Sequence, residues 1–249
     1  SMIVRNAHLV NTGMPPQLKN AAANDFFFLP RRDSVRLVET VVELCKTRLP
    51  DKMGIPAEEL QVLTPTRRGD AGTRSLNFAL QAALNPPAPG KKERRFGELI
   101  FREGDRVMQT RNDYDVVWQK EDGTAGTGIF NGDVGKIAKI DPSGELLEIV
   151  FDDRTATYTS DMLAELDMAY AMTVHKAQGS EYRGVVFVGA PCAPSLMVRG
   201  VLYTAITRAR ELLVIVGDDS AVNKMAENDR RSRRYSGLKW RLKKGGEEK

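Results

Sequence analysis

Cysteine is scarce in this chain. Cys45 and Cys192 are the only two in 249 residues, and they stand far apart. They form no metal-ligand spacing, so no metal site is expected. With two thiols and no export signal at the start, the expected compartment is the cytoplasm. No apolar run approaches the roughly 20 residues that a membrane helix needs, so no membrane partner is expected. The sequence also lacks a G-x-x-x-x-G-K-[ST] loop to cradle phosphates. No acidic pair follows a strand in the manner that would hold Mg²⁺ for ATP. Internal repeats are absent, and so is low complexity outside the last residues.

What is present is ordinary for a globular protein: 41% hydrophobic and 28% charged residues, enough for one large domain or two small ones. The net charge of +4 is unevenly placed. Residues 224–249 carry ten Lys or Arg against four Asp or Glu, while the rest of the chain has 27 against 29. A basic end suggests nucleic acid, and a solvated tail is the alternative.

In order along the chain, Ile3, Ala7 and Val10 mark one helical face, stopped by Gly13 and Pro15-Pro16. Asp25 to Leu29 reads as a buried strand. Asp33 and Ser34 offer a cap for a helix over 35–49, with Val35, Val38, Val42, Cys45 and Leu49 inward. Leu60 to Leu63 is the next strand, followed by a turn and a helix over 74–84. Repeated strand, turn and helix predict a parallel α/β sheet. Between Pro86 and Asp161 the helical period disappears. Five short β-like runs replace it, at 106–110, 116–118, 134–140, 146–151 and 155–159. Turn signals separate them, as in a small barrel. Tyr114 and Trp118 there suit either base stacking or the barrel's core, and core filling is the preferred reading. The α/β pattern then resumes. VVFV at 185–188 and LLVIV at 212–216 are its last buried strands, with a helix over 196–210 between them.

Two stretches in this last part carry a resemblance. TVHKAQGSEY, 173–182, resembles the fifth motif of superfamily 1 helicases in the form found in RecD-like enzymes. YTAITRAR, 203–210, resembles their sixth motif. Upstream, TPTRRG at 64–69 is similar to a RecD-like element that touches the tracked DNA strand, and IVRNAH to the opening of the second motor domain. GDRVMQTRNDY and FNGDVGKI resemble the SH3-like insert of that domain. The resemblance implies a RecA-like parallel-sheet motor domain, a P-loop NTPase fold without its P-loop, with an inserted SH3-like β-barrel. The implied division is 1–93 and 164–222 for the motor domain, 94–163 for the barrel and 223–249 for a basic tail.

The same resemblance implies the roles. Arg208 takes the arginine-finger position: a guanidinium is always charged and forks onto phosphate oxygens. Glu181 takes the position that binds the nucleotide ribose, and Gly179 lets the backbone approach. Thr64, Arg67, Arg68, Thr173 and His175 take positions along single-stranded DNA. For each the bland alternative is a solvated or satisfied structural side chain. Lys176 and Gln178 lie between the two sites and are candidates for coupling them.

The expectation is thus the C-terminal part of an ATP-dependent, five-prime to three-prime DNA helicase. ATP and Mg²⁺ would be held mainly by a first motor domain, the expected partner beside single-stranded DNA, and the chain alone would hydrolyse no ATP. Two related contexts are the alpha subunit of a RecBCD-type exonuclease complex, with its partner subunits, and the helicase part of a conjugative relaxase. A non-catalytic nucleic-acid-binding module is the alternative of another class.

Overall fold

A computed structural model describes residues 1–230. Its centre is a five-stranded parallel sheet. The strands are β1 (Phe26–Pro30), β2 (Leu60–Thr64), β12 (Ala171–Thr173), β13 (Tyr182–Gly189) and β14 (Ala209–Gly217), in the order β1-β14-β13-β2-β12. β13 and β14 are near-continuous apolar runs because the sheet is covered on both faces. Along β14 the side chains alternate. Leu213 and Ile215 pack on one layer, made by α1 (Met2–Asn11), α5 (Arg199–Thr207) and α6 (Asp219–Glu227). Leu212, Val214 and Val216 pack on the other, made by α2 (Ser34–Glu43) and α4 (Thr73–Leu84). Leu76 and Leu80 of α4 and Leu202 of α5 have no exposed surface. Truncating any of them to Ala costs about 2–5 kcal/mol.

Helix α2 differs from its expected face. Asp33 caps it, accepting from the Arg36 N–H. The helix stops at Glu43, passes through a π-turn at Leu44–Arg48 and ends in α3 (Leu49–Met53). Leu37, Val41, Leu44, Cys45 and Leu49 face inward, whereas Val35 is 63% exposed. A π-turn takes more residues per turn than an α-helix, so it brings Leu49 back to the face set by Leu37 and Val41. A single uninterrupted helix would need Val35 there instead.

Cys45 is 2% exposed, and burial pushes its thiol up to about 12. Thiolate, not thiol, reacts. Labelling of the native chain at pH 8 with a disulfide-exchange reagent should therefore reach Cys192, in the half-buried loop after β13, and spare Cys45 until the chain unfolds. Rapid labelling of both thiols under native conditions would contradict this packing.

Between α4 and β12 lies the β-rich insert. A hairpin of β3 (Glu93–Phe96) and β4 (Leu99–Arg102) precedes a seven-stranded sheet. That sheet contains β5 (Arg106–Gln109), β6 (Asp113–Gln119), β7 (Ala125–Ile129), β8 (Val134–Ile140), β9 (Leu146–Phe151), β10 (Arg154–Thr159) and β11 (Leu166–Met168), in the order β11-β5-β8-β9-β10-β6-β7. Its core holds Phe101, Ile137, Ile149, Phe151 and Tyr158. Four strands escape the sequence pattern for local reasons. β3 and β4 carry charges, β7 is AGTGI with two glycines, and β11 has only three residues. Because β11 pairs with β5, the sheet reaches Met168, beyond the expected limit at 163.

The two aromatic candidates separate. Trp118 is half-buried, with the Arg154 guanidinium 5.8 Å from its ring centre. Tyr114, for which core filling was preferred, is 66% exposed. Simple alternation would put it on the face of buried Val116, but the pairing of β6 with β7 shifts register between Asp113 and Val117, and the start of the strand leaves its ring in solvent.

The insert is fastened by a buried carboxylate. Asp105, with no exposed surface, accepts from Gln81 Nε2 (2.6 Å), Asn85 Nδ2 (2.7 Å), Tyr170 Oη (2.8 Å) and the Arg102 N–H (2.7 Å). Gln81 and Asn85 belong to the end of α4, and Tyr170 lies where the chain leaves the barrel for β12. Burial outweighs these bonds and raises the Asp105 pKa above the ordinary 3.8. Asn77 of α4 completes the joint, bonding to Met168 and Ala171 on either side of the crossing.

The architecture is a parallel α/β domain, covered on both faces and interrupted by a β-rich insert. Among the described residues, no helix is long and apolar enough to cross a membrane. Residues 223–227, expected in the tail, form the second half of α6. The tail beyond residue 230 lies outside the described residues.

Candidate functional site

Two edges of the parallel sheet carry the residues singled out above. At the carboxyl edge, β2 and β12 end side by side, with Thr64 and Thr173 in register. Open α/β sheets present ligands at this edge. The loop after β2 exposes Arg67 and Arg68. Arg67 pairs with Asp167 at 3.0 Å, but its side chain is 70% exposed. Such a surface pair is worth about 0–1 kcal/mol, so the guanidinium is easily exchanged onto a phosphate. Thr64 is placed otherwise than expected. It is fully buried, and its hydroxyl donates to the Ala71 carbonyl at 2.8 Å. There it shapes the arginine loop. Thr173 is half-buried and His175 exposed, on the turn that leaves β12.

That turn runs from one edge to the other. Residues 174–181 carry the chain from the carboxyl end of β12 to the amino end of β13. Its tight folding comes from Lys176 and Ala177 N–H groups donating to the Thr173 carbonyl, and Ser180 N–H to Ala177. Gly179 has φ +89°, a left-handed conformation that a side chain would strain.

Glu181 then stands exposed at the amino end of β13, and Arg208 at the amino end of the neighbouring β14. Arg208 closes α5 and is half-buried. Its Nη1 donates to the Ser180 carbonyl (2.7 Å) and its Nη2 to Thr207 Oγ1 (3.2 Å), and its carbonyl accepts from the Tyr182 N–H (2.8 Å). A guanidinium and a carboxylate therefore share one edge, joined through a single residue. The first can fork onto phosphate oxygens, and the second can accept from paired hydroxyls. A cavity of about 370 Å³ lies between this turn and α5, lined in part by His175, Gln178, Tyr203 and Thr204. The described residues contain no group of three or more His, Cys, Asp or Glu able to hold a metal ion.

Sequence reasoning missed one contact at this site. Lys176 Nζ donates to Asn131 Oδ1, which ties the turn to the barrel. The turn signal Asn131-Gly132-Asp133 was readable, but not its partner 45 residues away.

The family described as ATP-dependent RecD-like DNA helicase SH3 domain matches residues 76–151. The UvrD-like helicase C-terminal domain matches 168–216. The ATP-dependent RecD2 DNA helicase of Deinococcus radiodurans is 38% identical over 70% of this chain and 22% of its own length. The RecBCD enzyme subunit RecD of Mycolicibacterium smegmatis is 29% identical over 76% of this chain and 30% of its own length. The chain thus spans less than a third of these relatives. Among solved structures, Bacteroides Pif1 bound to single-stranded DNA aligns over 98% of this chain and 54% of its own, at 16% identity and a TM-score of 0.49.

Proposed function

We propose, from the premise that the chain belongs to the RecD-like DNA helicases, that it is the second motor domain of an ATP-dependent helicase moving five-prime to three-prime along single-stranded DNA. The observation that carries this is the amino edge of the sheet, where Arg208 and Glu181 flank one turn. In the intact protein that edge faces a nucleotide whose phosphates and Mg²⁺ are held mainly by the first motor domain. The nucleotide supplies the free energy of hydrolysis. This chain's Arg208 is the finger on the γ-phosphate, Glu181 receives the ribose hydroxyls, and Gly179 lets the backbone come close. At the carboxyl edge Arg67, Arg68, Thr173 and His175 contact the strand, while Thr64 holds the arginine loop. The turn 174–181 joins the two edges, so a shift at one is felt at the other. The half-site fits: its exposed donors and acceptor suit a nucleotide's flank, and the sequence holds no phosphate loop of its own.

The RecD relative favours a second context, a subunit of a RecBCD-type complex, which would add protein partners. A non-motor binding module is disfavoured, because a scaffold has no use for a guanidinium and a carboxylate paired at one edge.

The test uses the purified chain. It should hydrolyse no ATP. Labelled oligo-dT should bind weakly, with an affinity that falls as salt rises, because each neutralised phosphate adds about −0.7 to the log–log slope for a single strand. Replacing Arg67 and Arg68 with Ala should flatten that slope by about 0.7 for each phosphate no longer neutralised. ATP turnover by this chain, or no salt-dependent binding, would refute the proposal.

A further inference from the structure

We infer that Tyr114 and Phe130 form a base-stacking platform that carries the single-stranded DNA track off the parallel sheet and onto the barrel. This rests on the function proposed above and extends it to residues that neither the motifs nor the relatives' names assign. The two rings are 66% and 41% exposed, unusual for large aromatics on a barrel with a complete core. They meet edge to face, with centroids 5.6 Å apart and planes at 72°. That arrangement keeps each ring in place while open faces remain toward solvent.

The platform is built, not incidental. Gly128 has φ +98°, and a Cβ there would come within 2.9 Å of the Phe130 ring. The ring therefore lies where only glycine leaves room. Asp133 accepts from the Phe130 N–H (3.1 Å), and Asn112 accepts from the Asn131 N–H (3.0 Å), which fixes the turn that presents Phe130. Its position is set by Lys176, whose ammonium reaches Asn131, the residue after Phe130. Lys176 itself follows His175. The aromatic pair thus stands about one lysine side chain from the strand-facing turn.

Charge decides what this surface can hold. Neither ring carries a charge, so the platform itself offers the strand only ring faces. Bases stack on aromatic faces regardless of sequence. The phosphates are left to Lys176, Arg67 and Arg68 nearer the sheet.

The experiment compares this chain with its Tyr114→Ala/Phe130→Ala double variant, titrated against oligo-dT containing 2-aminopurine. The variant should bind about 5- to 100-fold more weakly, with an unchanged salt slope, since no phosphate contact is removed. The quenching of 2-aminopurine on binding should be lost with it. Tyr114→Phe should retain affinity and quenching, and melting temperatures should stay close because both rings are exposed. Equal affinity of variant and parent, or a loss accompanied by a flatter slope, would overturn the platform while leaving the proposed function standing. No salt-dependent binding by the parent chain would instead refute the proposed function, and the platform with it.

Discussion

Replacing Arg208 with Ala in the intact protein is expected to lower ATP turnover by about 10³- to 10⁵-fold, the range that arginine fingers contribute. Single-strand affinity should change little, because Arg208 stands at the amino edge and the proposed strand contacts at the carboxyl edge. Arg208→Lys should rescue little. An ammonium cannot fork across two phosphate oxygens as a guanidinium does. The substitution also removes bonds to the Ser180 carbonyl and the Thr207 hydroxyl. Those are partly exposed and worth about 1 kcal/mol each at most, so the variant should remain folded at assay temperature. A steady-state ATPase assay alongside an oligonucleotide titration separates these effects. Turnover within tenfold of the parent would mean that Arg208 is not the finger.

The largest stability effect is expected at Asp105. Asp105→Ala leaves Gln81, Asn85, Tyr170 and the Arg102 N–H without their buried acceptor. Gln81 and Asn85 each keep a second acceptor, while the Tyr170 hydroxyl and the Arg102 N–H lose theirs at about 1–3 kcal/mol apiece, so the loss is about 3–5 kcal/mol. For a domain of this size, each kcal/mol lowers the melting temperature by about 2–4 °C, so a fall of roughly 10 °C is expected by calorimetry. The pH dependence has a definite sign. The folded carboxyl holds its proton to higher pH than the unfolded one, since its pKa is raised. Its contribution is therefore greatest below the ordinary carboxylate value and declines as pH rises through the folded value. Asp105→Asn should flatten that decline. Melting of Asp105→Ala within a degree or two of the parent would mean that the insert is held by other contacts.

Much of the fold was legible because the parallel strands are buried on both faces. VVFV and LLVIV can satisfy a period of two or none, and only a covered sheet accepts them. The barrel was half legible: strands with alternating β-branched residues stood out, while AGTGI in β7 did not. Its glycines leave space for rings instead of filling space themselves, Gly126 for Trp118 and Gly128 for Phe130. The face of α2 was misjudged because a π-turn is invisible to a fixed helical period. At the site, linear motifs placed Glu181, Arg208, Thr173 and His175 at sheet edges. They could not show that Thr64 turns inward, since a hydroxyl's partner, the Ala71 carbonyl, is set by loop geometry. Nor could they show Lys176 meeting Asn131, or the carboxylate of Asp105 gathering four donors. Those are consequences of where the barrel docks, and no local spacing encodes them.

The most direct measurement is a structure of the intact protein with ADP-aluminium fluoride and single-stranded DNA. Arg208 is expected to leave the Ser180 carbonyl and place its guanidinium about 2.7–3.1 Å from the fluoride ligands, with the Glu181 carboxylate on the ribose. An Arg208 still bonded to Ser180, with the nucleotide bound beyond reach of both side chains, would contradict the motor-domain assignment.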